Sequence, residues 1–321
     1  MSSVKSAVSV RAAEPASARR GLAYLTVTAL AWGTSGAAAD LVYRHSDLGP
    51  TAVSFWRHFG GLVLLLAFTA IQRTRPRPLT VRPRPAGSLP RRAVLLIGVG
   101  VGMAVFQTAY FSAVEATGVA AATLLTLGAG PILTAIGGRF LLREHLGRGG
   151  VVAVAGALAG LAVLVGGNAR DVVEPTGVAF SLLSAAAYAA VTLLGRYTGR
   201  RGDGEEPLTL TMWSFAIGAT VLFVPALLEG GILPHGGGAV TVAAILVYLA
   251  VFPTALAYPL YFAGTGRVRA TTASVMMLLE PVTAAFLAVA FLDEPFTIAT
   301  ALGSLILLGS ITALAVAESK R

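Results

Sequence analysis

Ten apolar stretches, each about as long as a membrane-crossing helix, alternate with short polar segments along the 321-residue chain. A helix needs roughly 20 mostly apolar residues to cross the core of a bilayer. We number the stretches as spans 1 to 10, at residues 21–43, 49–71, 93–114, 118–138, 149–167, 177–195, 208–228, 239–263, 270–292 and 296–316. Very few residues separate spans 3 and 4 or spans 9 and 10, so we expect tight helical hairpins there. The pattern predicts an all-α, polytopic membrane protein with ten transmembrane helices.

Basic residues concentrate in alternate polar segments. If both chain ends lie on one side, that side holds 21 of the 24 Lys and Arg residues, whereas the other holds only Arg44 and Arg170, and Arg57 falls within a span. Cytoplasmic loops carry such an excess of positive charge. We therefore expect a multi-pass protein of the cell membrane with both the N-terminal tail, 1–20, and the C-terminal tail, 317–321, in the cytoplasm. The long Arg-rich loop 72–92 is read as a topology determinant, with contact to anionic lipid as the alternative.

The composition excludes several functional classes. The chain is 55% hydrophobic and 12% charged, and it has no cysteine, so disulfides, thiolate zinc sites and thiol nucleophiles are excluded. Its four histidines are scattered without metal-ligand spacing, and it has no GxxxxGK[ST] phosphate loop. The net charge of +9 belongs to the interhelical loops rather than to a nucleic-acid surface. We expect no cofactor, no metal and no nucleic-acid partner, and we do not expect an enzyme.

The second half of the chain repeats the first. "GLAYLTVTALAW" at 21–32 matches "GVAFSLLSAAAY" at 177–188, and "PTAVSFW" at 50–56 matches "PLTLTMW" at 207–213. Each copy holds five spans, an odd number, so the second copy must enter the membrane from the opposite side. Inverted repeats of this kind are typical of secondary transporters, whose site lies near the membrane midplane where the halves meet.

The repeat defines the domain organisation. We expect a first repeat at 21–167, a linker at 168–176 and a second repeat at 177–316. The basic leader and the "AAA" at 37–39 resemble a cleaved signal peptide. Span 1 is nevertheless read as a retained helix, because it is the repeat partner of the internal span 6.

Four segments carry a resemblance to a known family: "AWGTSG" at 31–36, "SFWRHFGG" at 54–61, "GPILTAIGGRFLLREHLGRGG" at 130–150 and "LLEPVTAAFLAVAFLDEP" at 278–295. With the ten-span repeat, they resemble the drug/metabolite transporter superfamily, EamA type. The resemblance implies a helical bundle with a central cavity, peripheral fifth spans in each repeat and alternating access. It also implies export of amino acids or other small metabolites.

Glu280 is the most unusual residue of span 9. It lies about 15 Å from the start of the span, near the midplane, where an acid costs roughly 2.5–3.5 kcal/mol on insertion scales. Pro281 has no amide to donate, which leaves the carbonyl of Met277 free for a protonated Glu280. One hypothesis makes Glu280 a proton-linked gate or a contact for a substrate amine; the other makes it a neutral acid tied to nearby backbone. The first repeat has Gly130 at the equivalent position, which argues against a symmetric two-carboxylate mechanism.

Arg57 is the other charge deep in the membrane, about 10 Å into span 2. It could pair with Asp40 near the outer end of span 1, which is the common solution for a buried charge. Alternatively, it faces the cavity and holds a substrate carboxylate while Glu280 holds an amine. The neighbouring His58 is read as a plain buried histidine.

Further candidates follow from the repeat and from helix breakers. Four aromatic residues are predicted to line the cavity: Trp32, Tyr110, Tyr188 and Tyr258. Pro131 and Pro281 occupy equivalent repeat positions, so spans 4 and 9 are expected to bend alike and to act as hinges. Gly156 and Gly160 in span 5 allow close helix approach and are read as internal packing positions.

These features predict a secondary transporter, an exporter of small amino-acid-like solutes working by alternating access, with proton coupling as a hypothesis. An uncoupled facilitator or channel is the main alternative, and a polytopic membrane enzyme is a weaker one. The expected partners are a small-molecule solute and the lipid bilayer. The substrate, the direction of transport, the coupling ion and the choice between monomer and homodimer stay open.

Overall fold

A computed structural model of the chain describes residues 15–73, 89–145, 147–166, 174–200, 205–234, 238–291 and 297–319. These ranges consist of helices joined by short turns, without a strand. The helices of the first half are α1 Pro15–Gly33, α2 Ser35–His45, α3 Pro50–Arg73, α4 Leu89–Leu141 and α5 Arg148–Gly166. Those of the second half are α6 Pro175–Arg200, α7 Pro207–Glu229, α8 Ala239–Ala250, a π-helical segment Val251–Leu256, α9 Ala257–Thr265, α10 Ala270–Met276, α11 Leu279–Phe291 and α12 Ile298–Ser319.

Nine helical stretches of the described residues are long and apolar enough to cross a membrane. The first predicted span is not among them: Thr34 divides it into α1 and α2, and the apolar part of α1 is short because the helix begins with polar residues that include Arg19 and Arg20. These two helices run along the whole of span 8: Gly21 approaches Gly264 at one end, and the carbonyl of His45 approaches Gly238 at the other. Since span 8 crosses the bilayer, the α1–α2 pair extends over the same thickness and supplies the tenth crossing.

The predicted hairpin of spans 3 and 4 lies within α4. Helical hydrogen bonding is assigned over all 53 residues, a length that would measure about 80 Å as a straight rod. The hydroxyl oxygens of Tyr110 and Thr123 are nevertheless 2.8 Å apart, whereas 13 residues of straight helix would separate them by about 20 Å. The chain therefore reverses direction between them. Both arms pack on α6, since Ser184 bonds to the carbonyl of Phe106 in one arm and Thr126 in the other arm bonds to the carbonyl of Ser181.

Spans 5 and 10 pack against each other almost backbone to backbone. A Cβ placed on Gly160 would lie 2.7 Å from the amide nitrogen of Leu307, and a Cβ on Gly303 would lie 2.5 Å from that of Leu164. Small residues permit such contact inside membranes. Gly160 therefore serves internal packing, as the sequence predicted, and this contact joins the fifth span of one repeat to the fifth span of the other.

The outer surface of the bundle is apolar. Large hydrophobic side chains are strongly exposed on several helices, among them Val240 at 86%, Leu228 at 83% and Phe140 at 79%. Contiguous apolar surface of this kind is rare on proteins surrounded by water. It is the surface expected of a protein whose solvent is lipid, so the fold is a polytopic helical membrane bundle.

Candidate functional site

A π-helical segment in span 8 forms one wall of the site. Pro253 has no amide, so the carbonyl of Leu249 loses its normal helical donor, and the hydroxyl of Thr254 takes that place at 2.6 Å. The indole nitrogen of Trp32 donates to the carbonyl of Pro253 at 2.9 Å. Segments of π-helix frequently occur at functional sites. Here the irregular backbone is satisfied by side chains of spans 1 and 8.

Arg57 projects from α3 toward this wall. Its side chain is buried, and its Nε donates to the Thr254 hydroxyl at 3.3 Å. The guanidinium carbon also lies 6.0 Å from the ring centre of Phe111, within range of a cation–π interaction. This is the one hydrogen bond of the Arg57 side chain to the described residues, so its two terminal nitrogens keep donors for other groups.

Span 9 is broken directly beside Glu280. Helix α10 ends at Met276, a turn covers residues 277–278, and α11 begins at Leu279. Glu280 therefore stands in the first turn of α11, where a negative charge is favoured by the helix dipole. Discontinuous helices whose ends face the site are common in transporters.

One expectation about this region needs correction. The carbonyl of Met277 is not free, because the amide of Glu280 donates to it at 2.9 Å. Spans 4 and 9 also differ at their prolines: helical hydrogen bonding continues through Pro131 in α4, whereas the helix breaks before Pro281. That the two spans bend alike stays a prediction. In span 4 the hydroxyl of Thr134 reinforces the helix by donating to the carbonyl of Gly130 at 2.8 Å. The hinge role of the two prolines stays a prediction.

Five of the predicted candidates line one cavity between the two repeats: Trp32, Arg57, Tyr110, Tyr258 and Glu280. The cavity measures about 50 Å³, which is room for about three water molecules. Its lining comes from spans 1, 2, 3 and 4 of the first repeat and from spans 8 and 9 of the second. A metabolite cannot enter unless the surrounding helices move apart.

Arg57 and Glu280 face this cavity without touching. Both residues line it, and no ion pair within 4.0 Å joins them in the described part of the chain. Glu280 is partly exposed, whereas Arg57 is buried. The site thus presents a cation and an acid on opposite repeats with space between them.

The remaining candidates lie elsewhere or outside the described side chains. Tyr188 is buried behind the cavity, with its ring centre 5.3 Å from that of Phe106. The side chain of Asp40 is outside the described residues, so its pairing with Arg57 stays a prediction. His58 packs against Gly218, and its Nδ1 donates to the carbonyl of Ser54 at 2.8 Å, which agrees with a plain buried histidine.

Gln107 is a cavity residue that our sequence reasoning missed. It lies on α4, is 3% exposed and donates from Nε2 to the hydroxyl of Tyr258 at 3.1 Å. An amide within an otherwise apolar span was the signal that could have identified it, because polar groups inside a membrane are costly and usually face the bundle interior.

Polar contacts tie the two repeats together at one end of the bundle. The carboxylate of Glu144, which follows span 4, bonds to Arg196 at 2.8 Å and to the amide of Ala270 at 2.9 Å. Arg196 also donates to the carbonyl of Gly266 at 2.8 Å. We call these four residues the Glu144 cluster. Arg143 directs Glu144 into it by adopting φ 55°, the left-handed conformation that ends many helices.

A second tie joins the repeats at the opposite end. Glu229, the last residue of α7, accepts hydrogen bonds from the amides of Thr51 and Ala52 at 2.9 and 3.1 Å. It also accepts one from the Thr51 hydroxyl at 2.9 Å. A carboxylate at the start of α3 satisfies amides that have no partner within the helix. The two repeats are therefore joined by polar contacts at both ends of the bundle.

Comparisons with known proteins agree with this architecture. Residues 19–166 and 175–316 each match the EamA-like transporter family. The chain is 26% identical over 303 residues to a Bacillus subtilis (strain 168) protein named uncharacterized transporter YwfM, covering 93% of this chain and 94% of that protein. It is 25% identical over 310 residues to uncharacterized inner membrane transporter YicL of Salmonella typhimurium, covering 95% and 98%. Solved structures with the same fold include a crystal structure that matches with a TM-score of 0.74 and 18% identity, over 96% of this chain and 99% of its own.

Proposed function

The chain belongs to the EamA-like transporter family, and from this premise we propose that it exports small solutes that carry both an amino and a carboxylate group. The proposed mechanism is alternating access: the cavity opens to one side of the cell membrane at a time. The positive-inside pattern of the sequence supports cytoplasmic chain ends. The expected partners are the solute and the bilayer.

The separated charges of Arg57 and Glu280 carry the proposal. Charged groups within a membrane need a partner or a reason, and these two lie on different repeats across one cavity. A carboxylate of the solute would accept from the free nitrogens of Arg57, and its ammonium group would lie against Glu280. Because each partner belongs to a different repeat, a bound zwitterion would favour a conformation with the repeats drawn together.

The two ties between the repeats support alternating access. The Glu144 cluster and the Glu229 contact lie at opposite ends of the bundle, and each joins one repeat to the other. Opening one tie while the other persists would expose the cavity to a single side. The break in span 9 and the π-helical segment in span 8 provide irregular backbone next to the cavity, where such a movement is easiest to accommodate.

Counterflow in proteoliposomes tests the transporter class. Vesicles loaded with an unlabelled amino acid should accelerate uptake of the same labelled amino acid, because a carrier returns loaded faster than empty. A channel would show no acceleration, so the assay separates a carrier from a channel. Once an exchanged amino acid is known, other compounds can be tested as inhibitors of its exchange. Arg57→Ala should abolish inhibition by compounds that carry a carboxylate and spare inhibition by an amine that lacks one. An equal loss for both kinds of compound would contradict the carboxylate role.

Glu280→Gln tests proton coupling separately. If Glu280 carries the coupling proton, the variant should lose uptake driven by a pH gradient and keep solute exchange at equilibrium. Retention of pH-driven uptake would refute the coupling role. Failure of the variant to insert or fold, measured by size-exclusion chromatography, would support the structural role instead.

A further inference from the structure

The side-chain amide of Gln107 uses its nitrogen in a hydrogen bond, whereas its oxygen has no partner. Its Nε2 donates to the hydroxyl of Tyr258 at 3.1 Å, so its Oε1 points away from that hydroxyl within the amide plane. Among the described residues, Oε1 is buried and has no hydrogen-bond partner. Buried amide oxygens are nearly always bonded, and one left unbonded is costly. The free oxygen therefore requires an explanation, and the residue lies in the lining of the cavity.

The same cavity holds a second acceptor without a donor. The carboxylate of Glu280 makes no side-chain hydrogen bond within the described ranges of the chain, and Glu280 lines the cavity together with Gln107. A carboxylate and an amide oxygen are both acceptors. In this conformation Arg57 donates a hydrogen bond neither to Oε1 of Gln107 nor to the carboxylate of Glu280. The lining therefore combines two unfilled acceptors with one guanidinium.

We propose that Gln107 accepts an N–H hydrogen bond from the substrate's ammonium group while Glu280 supplies the opposite charge. A primary ammonium carries three N–H donors and can serve both acceptors at once. A quaternary ammonium has the same charge and no donor, so it satisfies Glu280 electrostatically and leaves Oε1 of Gln107 unfilled. The site should therefore select primary amines over their fully methylated counterparts. This inference rests on the proposed function and adds its amine specificity.

A matched pair of ligands separates hydrogen bonding from charge. The 20 standard L-amino acids are first screened for counterflow in proteoliposomes. The best-exchanged amino acid is then compared with its N,N,N-trimethyl derivative as an inhibitor of that exchange. Wild type should favour the primary amine. Gln107→Leu should weaken the primary amine by roughly 10-fold or more, the effect of losing one hydrogen bond to a charged group, and leave the trimethyl derivative unchanged.

Two variants serve as controls. Thr108 is the next residue along the helix, its hydroxyl is also buried without a partner, and it is outside the cavity lining. Thr108→Val should leave the ratio of the two inhibition constants at the wild-type value. Gln107→Glu keeps an acceptor at the same position, so it should preserve the preference for the primary amine; it also tests the proposal if Gln107→Leu does not fold.

Three results would overturn the inference. An unchanged ratio in Gln107→Leu, or an equal loss for both ligands, would show that Gln107 has no role in reading N–H groups. Loss of the preference in Gln107→Glu would exclude an acceptor role. Absence of counterflow with every amino acid in wild type would instead refute the proposed function, and the inference with it.

Discussion

Neutralising Glu144 should release one end of the bundle. Its carboxylate joins the first repeat to two elements of the second, through Arg196 at 2.8 Å and the amide of Ala270 at 2.9 Å. The paired side chains are 10% and 14% exposed, so solvent weakens the ion pair less than it would at an open surface. Glu144→Gln keeps the size of the side chain and removes its charge.

The size of the effect follows from these two contacts. A hydrogen bond to a charged group contributes about 1.5–3 kcal/mol, against about 0.5–1.5 kcal/mol for a neutral one. Glutamine has a single carbonyl oxygen, so the variant can keep one of the two contacts as a neutral hydrogen bond and loses the other. The change should cost about 2 kcal/mol or more in the closed conformation. That energy changes an equilibrium between closed and open states by roughly 30-fold or more.

The absence of native cysteine provides a clean assay. Ser35 lines the cavity, so Ser35→Cys reports access to it when membrane-impermeant maleimide is added to sealed vesicles. When Glu144→Gln is added to this protein, labelling should accelerate by roughly the same factor as the shift in the closed–open equilibrium. The acceleration should occur only in vesicles whose outer surface carries the end of the bundle with the Glu144 cluster. A separate Arg139→Cys protein, whose residue is exposed on that face, identifies these vesicles.

Glu318 provides the matched control. It bonds to Arg269 at 2.6 Å and to Thr272 at 3.0 Å, and all three residues lie in the second half of the chain. Arg269 also reaches the first repeat, but through a different nitrogen, Nη1, which donates to the carbonyl of His145 at 3.2 Å. Glu318→Gln therefore weakens a comparable ion pair whose two partners lie in the same half of the chain, and labelling of Ser35→Cys should stay at the wild-type rate. Equal acceleration by both variants, or none by Glu144→Gln, would refute the gating role of the cluster.

Three further predictions concern packing and the site wall. Gly303→Ala should lower the thermal unfolding midpoint in detergent, since overpacking costs about 1–3 kcal/mol, whereas Gly309→Ala on the same helix has open space and should not; equal midpoints would contradict the span 5–span 10 contact. Glu229→Gln should lower the free energy of unfolding by about 1 kcal/mol and leave unchanged which ligands inhibit exchange best. A change in that order would argue against a purely structural role for the Glu229 contact. Trp32→Phe should leave the carbonyl of Pro253 without its side-chain donor at a cost of about 1–3 kcal/mol, seen as a lower unfolding midpoint, and an unchanged midpoint would show that this bond is dispensable.

The sequence was sufficient to predict the membrane architecture. Span lengths, the hairpin within α4 and the repeat could be read because lipid requires each crossing to be apolar and helical, and that constraint acts within one segment at a time. The deep charges Arg57 and Glu280 were conspicuous for the same reason. Their cost depends on depth in the membrane, which the position along a span reports directly.

Other features depend on which helices are neighbours. The free oxygen of Gln107 is noticed only when Tyr258 is found beside its nitrogen, and the carbonyl of Met277 was misjudged because a turn, rather than a continuous helix, surrounds it. The contacts of Glu144 and Glu229 join residues far apart in the chain.

The sequence by itself determined how many times the chain crosses the membrane and which charges lie deep, because the bilayer acts on every span separately. Only the tertiary structure decided which of those charges share a cavity and which polar contacts join the two repeats. Those outcomes depend on hydrogen bonds a few ångströms long between different spans, and the pattern of one span contains no information about its neighbour's side chains.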